Sequence, residues 1–160
     1  AVVDRVGLVG QGLSTRRDQS NAAKLKKQIL IDPTIPQKYK DLIVTADRKD
    51  TQANIRFLQG SNEPDINSVN NLDRLSSYLA NPGNENLNVI LVGFADSVGS
   101  RSANLRLSQK RANSVRDLLE SKGVTNIVSS GFGEAMPVAD NGSDTGRAKN
   151  RRVEIWLKRN

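Results

Sequence analysis

Leu87-Asn88-Val89-Ile90-Leu91-Val92-Gly93-Phe94 is the stretch on which the fold turns. A strand with one wet face alternates apolar and polar residues, whereas here Val89 to Val92 are apolar in succession. Such a run belongs at the centre of a sheet that is covered on both faces. Gly93 to Gly99 reads as the turn that leaves it. Beyond the turn, Leu107, Val115, Leu118 and Leu119 fall on one face of a helix predicted over Ser102 to Lys122, with Ala103 and Ala112 allowing close packing. Gly123 stands where a left-handed helix stop is expected.

Working outward, Asn54 to Leu58 reads as a short strand that leaves through Gly60-Ser61-Asn62. Val69, Leu72, Leu75, Ser76 and Leu79 then recur at helical spacing until Asn81-Pro82-Gly83 stops them. On the carboxyl side, Val124 to Ser130 gives a strand and Gly131 to Arg147 a long loop. Arg152 to Lys158 alternates Val153, Ile155 and Leu157 with Arg152, Glu154 and Lys158, the pattern of a final strand. The order β-α-β-α-β-loop-β predicts an α/β sandwich of the α+β kind, with two helices packed on one face of a mixed sheet.

Residues 50–160 carry that pattern and are expected to form the domain. Residues 1–49 read as a linker or accessory layer. Their short apolar clusters are broken by Gly7, Gly10 and Gly12, and Ala22 to Ile31 is a helix or, at Ile29-Leu30-Ile31, a strand, before Pro33 and Pro36 interrupt it.

The chain has 160 residues, enough for one domain with a core plus a modest extension. With 24 Lys and Arg against 17 Asp and Glu, its formal charge is +7, which favours an anionic partner such as nucleic acid, a membrane surface or the bacterial wall. Only 4% of residues are aromatic, so the stacking platforms of single-strand nucleic-acid binders are missing. The chain contains neither Cys nor His. That removes the disulfide, the thiolate metal site, the commonest general base and the commonest zinc ligand, so no metal or cofactor is expected. No run reaches the roughly 18 apolar residues of a membrane-spanning helix. The start at Ala1 without Met suggests a mature product or an excised fragment.

Three blocks carry chemistry: Gly93-Phe94-Ala95-Asp96-Ser97-Val98-Gly99, Asn104-Leu105-Arg106-Leu107-Ser108-Gln109-Lys110-Arg111-Ala112, and Gly146-Arg147-Ala148-Lys149-Asn150-Arg151-Arg152-Val153. The first sets a carboxylate in a tight turn at the carboxyl end of a buried strand, where open α/β sheets place their sites. The second projects the Arg111 guanidinium from the following helix. Arg111 lies fifteen positions after Asp96, so the two converge only if the intervening loop folds back. An acid and a base facing one crevice suit a ligand with both an ammonium and a carboxylate, each held by charge-assisted hydrogen bonds. A plainer alternative stays open: Asp96 caps a turn or helix, and Arg111 makes a surface salt bridge worth about 0–1 kcal/mol.

In order and spacing the three blocks resemble the signature of the OmpA-like peptidoglycan-binding domain family, G-H-T-D-x-x-G, N-x-x-L-S-x-x-R-A and G-R-x-x-N-R-R-V. The likeness runs from about Ala53 to Leu157. It implies a non-enzymatic domain that binds the diaminopimelate side chain of the peptidoglycan stem peptide through Asp96 and Arg111, with Asn104 bracing the site. It also implies a place in the periplasm or cell envelope of a Gram-negative bacterium, peripheral to the outer membrane at most, with no nucleic-acid partner. Phe94, Ala95, Ser97, Leu107, Arg151 and Ser61 form a second tier of site residues. Phe94-Ala95 replaces the family's His-Thr, and the lost Thr hydroxyl removes a hydrogen bond worth about 0.5–1.5 kcal/mol. Of the arginines in the third block, one reads equally well as a solvated strand-edge charge and another as a structural ion pair.

Val2 to Val9 is similar to the closing segment of periplasmic phosphate-binding-type solute receptors, which implies a solute-binding module upstream in a larger protein. Two rival functions complete the expectations. One is a nucleic-acid binder driven by charge, whose affinity would fall steeply with salt. The other is a wall-peptide hydrolase, for which Asp96, Glu134, Asp140 and Asp144 are candidates by location alone.

Overall fold

A computed structural model describes residues 16–50 and 55–159. Along the chain come α1 (Arg16–Ile31), α2 (Gln37–Ile43), β1 (Arg48–Lys49), β2 (Ile55–Arg56), α3 (Ile66–Leu79), β3 (Leu87–Gly93), α4 (Arg101–Ser121), β4 (Ile127–Gly131), α5 (Asp144–Asn150) and β5 (Arg152–Arg159). The segment Val2 to Val9 and the Gly7, Gly10 and Gly12 run lie outside the described residues.

β3 occupies the middle of a mixed sheet, parallel to β4 on one side and antiparallel to β5 on the other. The far edge of β5 carries β1 and β2, both antiparallel. Both faces of β3 are covered, as its uninterrupted apolar run requires. On one face Val89 and Leu91 join Val153, Ile155 and Leu157 of β5 beneath Leu72, Leu75 and Leu79 of α3 and Ala112, Val115 and Leu119 of α4. This is the predicted pair of helices on one side of the sheet.

The opposite face is covered by the segment that precedes the sheet. Ile90, Val92, Phe94 and Trp156 pack there against Ile29, Tyr39, Ile43 and Ala46. Burying Trp156 and Phe94 under this layer is worth about 1.5–3 kcal/mol each for the apolar area alone. Ile29 to Ile31, open between helix and strand, is helical. Two of the three residues in the polar set of β5, Arg152 and Glu154, are buried under the same layer rather than facing solvent, while Lys158 is half-buried.

Two further details differ from the sequence pattern. The stretch predicted as a long loop contains α5, which Ser143 starts by accepting a hydrogen bond from the Gly146 amide. In α4, begun by a Ser100 cap, the buried stripe is Asn104, Ser108, Arg111, Ala112, Val115 and Leu119, while Ala103 is exposed and Leu107 half-buried. Its first half is polar, so a search for apolar periodicity slides off it. Gly123 has φ +90°, the left-handed stop that its position suggested.

Candidate functional site

The sheet register brings the first and third blocks together. Gly93, the last residue of β3, lies opposite Val153 of β5 and Gly131 of β4, so the turn after β3 sits beside the start of β5. α4 then crosses this end of the sheet with almost no clearance. A Cβ on Gly93 would lie 2.1 Å from the Ser108 carbonyl oxygen, and one on Gly131 would lie 2.3 Å from the Gln109 amide nitrogen. These two glycines are needed for close approach, and the approach sets Asn104 and Arg111 against the turn.

Asp96 is 4% exposed, and its carboxylate is engaged on both oxygens. Oδ1 accepts from the Val98 amide at 3.0 Å, and Oδ2 accepts from Arg151 Nη1 at 3.1 Å. Asn104 Nδ2 donates to the Asp96 carbonyl at 3.1 Å, fastening the turn to the first turn of α4. Arg151, at the junction of α5 and β5, also donates from Nε to the Phe57 carbonyl at 2.8 Å.

Arg111 is fully buried. Its guanidinium donates from Nε to the Ser61 carbonyl at 2.8 Å, from Nη1 to the Phe94 carbonyl at 3.1 Å and from Nη2 to the Leu58 carbonyl at 3.1 Å. It also lies 5.2 Å from the centre of the Phe57 ring. One side chain therefore ties the loop after β2 to the turn after β3. Burial pushes its pKa down to about 10, the Asp96 charge opposing this and the Arg151 charge adding to it, so the guanidinium is charged at neutral pH. Asp96, Arg111 and Arg151 thus bring one carboxylate and two guanidiniums together at largely buried positions, formally one excess positive charge.

The second tier of residues is spread around this centre. Ser61 contributes its carbonyl to Arg111, while its hydroxyl accepts from the Glu63 amide. Ala95 is buried and donates its amide to the Gly133 carbonyl at 2.8 Å. Ser97 is exposed. Phe94 offers the site its carbonyl, but its ring points into the opposite layer, among Tyr39, Phe132 and Arg152. Of the carboxylates considered by location, Asp140 Oδ1 accepts from the Gly142 amide, Asp144 pairs with Arg147 one helical turn on, and Glu134 is half-buried. Among the described residues no cluster of three or more His, Cys, Asp or Glu could hold a metal.

Phe57 and Leu58 escape a reading of the sequence because they act through their carbonyls, which any residue could supply. The Gly60-Ser61-Asn62 turn is the one hint that this loop meets the site. A second charged cluster is equally hidden. Glu154 accepts from Arg152 Nε and Nη2 and from the Tyr39 hydroxyl at 2.6 Å, with Lys49 Nζ 3.4 Å away. It lies at the edge of an open cavity of about 500 Å³ between the amino-terminal layer and the loop before α5.

The fold and the crevice define an OmpA-like domain, and the chain belongs to the OmpA family, whose profile matches residues 56–151. Among its relatives, outer membrane protein A of Yersinia pseudotuberculosis is 34% identical over 95% of this chain and 44% of its own length. The probable lipoprotein YiaD of Escherichia coli is 46% identical over 43% of this chain and 32% of its own length. The peptidoglycan-associated lipoprotein of Buchnera aphidicola is 38% identical over 59% of this chain and 56% of its own length. The chain thus spans between about a third and just over half of these relatives. In structure it is similar to the peptidoglycan-associated lipoprotein of Burkholderia pseudomallei, with TM-score 0.61 and 24% identity over 81% of this chain and 98% of that one. The carboxyl-terminal domain of Helicobacter pylori MotB gives TM-score 0.59 and 24% identity over 67% of this chain and 84% of that one.

Proposed function

We propose that this domain binds peptidoglycan non-covalently through a diaminopimelate-type stem peptide, and so anchors a larger envelope protein to the wall in the periplasm. The observation that carries the reading is a buried carboxylate, Asp96, in one crevice with two guanidiniums, Arg111 and Arg151. Asp96 accepts from the ligand ammonium. The ligand carboxylate receives the Arg111 N–H groups that the three backbone carbonyls leave over. Asn104 braces the acid by holding its carbonyl. The presence of a peptidoglycan-associated lipoprotein among the relatives supports the reading, and the domain acts by binding, without turnover. The likeness of Val2 to Val9 to a solute receptor adds a solute-binding module upstream as part of the same proposal.

Retention on purified peptidoglycan, with calorimetry against a diaminopimelate-containing muropeptide, tests the assignment. Asp96→Ala and Arg111→Ala should each abolish retention, and unchanged binding by both would remove the site. Ala95→Thr restores the hydroxyl found in the family pattern and should tighten binding by about 0.5–1.5 kcal/mol.

A further inference from the structure

On the face of the sheet away from α3 and α4, the amino-terminal layer and the loop before α5 bound an open cavity of about 500 Å³, a volume within the range of small-molecule sites. Its walls are Leu25, Ile29 and Ile35 from the layer and Met136, Pro137 and Val138 from the loop. Its floor is ionic, with Lys49, Arg152 and Glu154 reaching it from β1 and β5 beside Tyr39. We infer that this cavity binds an aliphatic carboxylate of the fatty-acid type, its chain along the apolar walls and its head on Lys49. The site is separate from the crevice around Asp96 and does not depend on how that crevice is used.

Charge and donors both select an anion. Among the described residues that line the cavity, two cations face one carboxylate, which leaves one positive charge in surplus. Arg152 answers the carboxylate: its Nε and Nη2 donate to Glu154 Oε2 at 3.1 and 3.0 Å, while Tyr39 donates to Oε1 at 2.6 Å. Lys49 Nζ stands farther off, 3.4 Å from Oε2, with its side chain 22% exposed. Of its three N–H groups the described residues engage one, so two remain for a ligand head. A carboxylate there receives charge-assisted bonds and balances the surplus, whereas an ammonium would meet Lys49 and Arg152 as like charges.

The walls set the body of the ligand. They are branched aliphatic, Pro and Met side chains, with Tyr39 the one aromatic among the described lining residues, which suits a flexible chain better than a flat ring. Val138 at the rim is 56% exposed, apolar area that such a chain would cover. Met136 holds φ +57°, a left-handed backbone that a long side chain rarely adopts, and its carbonyl accepts from Arg152 Nη2 at 3.0 Å. The ionic floor thus clamps the wall in place, and strain of this kind gathers at ligand sites.

Calorimetry of the 160-residue chain with decanoate tests this, with decanol and decyltrimethylammonium as probes of the same chain length and different charge. Decanoate should bind saturably, one per chain, and at least about tenfold more tightly than either probe, as the loss of a charge-assisted bond implies. Lys49→Gln should weaken decanoate by about tenfold or more and leave decanol unchanged. Lys49→Arg, which keeps the charge, should retain most of the affinity. Val138→Asp places a carboxylate at the exposed rim and should repel decanoate, and it carries the test if Lys49→Gln does not fold. An excess of a diaminopimelate-containing muropeptide should not displace decanoate; competition would put the ligand in the crevice and overturn the cavity site. No saturable binding, equal binding of decanol, or affinity unchanged in both Lys49→Gln and Val138→Asp likewise overturns the proposal. So does tighter binding of a tetrapeptide that ends in leucine with a free carboxyl group, which would make the cavity a peptide site.

Discussion

The Arg152 guanidinium carbon lies 3.8 Å from the centre of the Phe94 ring, joining the charged cluster under the amino-terminal layer to the residue whose carbonyl holds Arg111. Phe94 stands where the family pattern has His, and its surroundings give the substitution a physical reason. The ring is fully buried and meets Tyr39 at 6.2 Å and Phe132 at 6.2 Å between centroids, a setting for an apolar aromatic. Phe94→Ala should therefore cost about 3–5 kcal/mol in urea unfolding. Phe94→His should cost less but weaken wall retention, since a polar ring in this layer disturbs the backbone that carries Asp96.

Tyr39 and Glu154 make stability depend on pH at both ends of the scale. Desolvation pushes the Tyr39 phenol well above its ordinary value, with the Glu154 charge adding to the rise. The folded state therefore keeps a proton that the unfolded chain gives up, and stability falls as pH climbs beyond about 10. For Glu154, desolvation raises the pKa, but Lys49, Arg152 and the hydrogen bonds from Tyr39 and Arg152 outweigh it and bring it below the usual carboxylate value. Its contribution is present above the unfolded-state pKa and is lost as pH falls through the folded one. Tyr39→Phe should lower stability by about 1–3 kcal/mol and flatten the alkaline limb, as followed by thermal unfolding from about pH 3 to about pH 11.

Gly93→Ala tests the close crossing of α4 over the sheet. With the Ser108 carbonyl 2.1 Å from the new Cβ, the obstacle is backbone and the helix must shift. Asn104 and Arg111 shift with it. Loss of stability by about 1–3 kcal/mol, together with loss of peptidoglycan retention, is the expected result. Gly60→Ala, at a position with open space around it, is the control for which only the strain of φ +72° is felt.

Asn150 holds the loop before α5 with four hydrogen bonds. Its Oδ1 accepts from the Val138 and Ala139 amides, and its Nδ2 donates to the Ala139 carbonyl and to Asn141 Oδ1, all between 2.8 and 3.0 Å. Asn150→Asp keeps the shape and removes both donors, placing a charge in a fully buried position. A loss of about 2 kcal/mol or more is expected, with faster amide hydrogen exchange at Val138 and Ala139 as the local sign.

The sequence by itself determined the sheet centre, the two helices on one face, the end of α4 at Gly123 and the three blocks around the crevice. Each of these rests on local chemistry: an unbroken apolar run, a helical period, a residue free to adopt positive φ. The tertiary structure alone decided which arginine meets the acid. Arg111 and Arg151 are equally basic on paper, and only the crossing of α4 and the β3–β5 register give the first to three carbonyls and the second to Asp96. It also decided that the segment from Leu25 to Asp50 covers the second face of the sheet, because its sparse apolar residues become a core only when Trp156 and Phe94 are there to meet them. The polar half of the α4 stripe was hidden for the same reason. A buried Asn, Ser or Arg looks like a surface residue until the partners that satisfy it, drawn from distant parts of the chain, are in place.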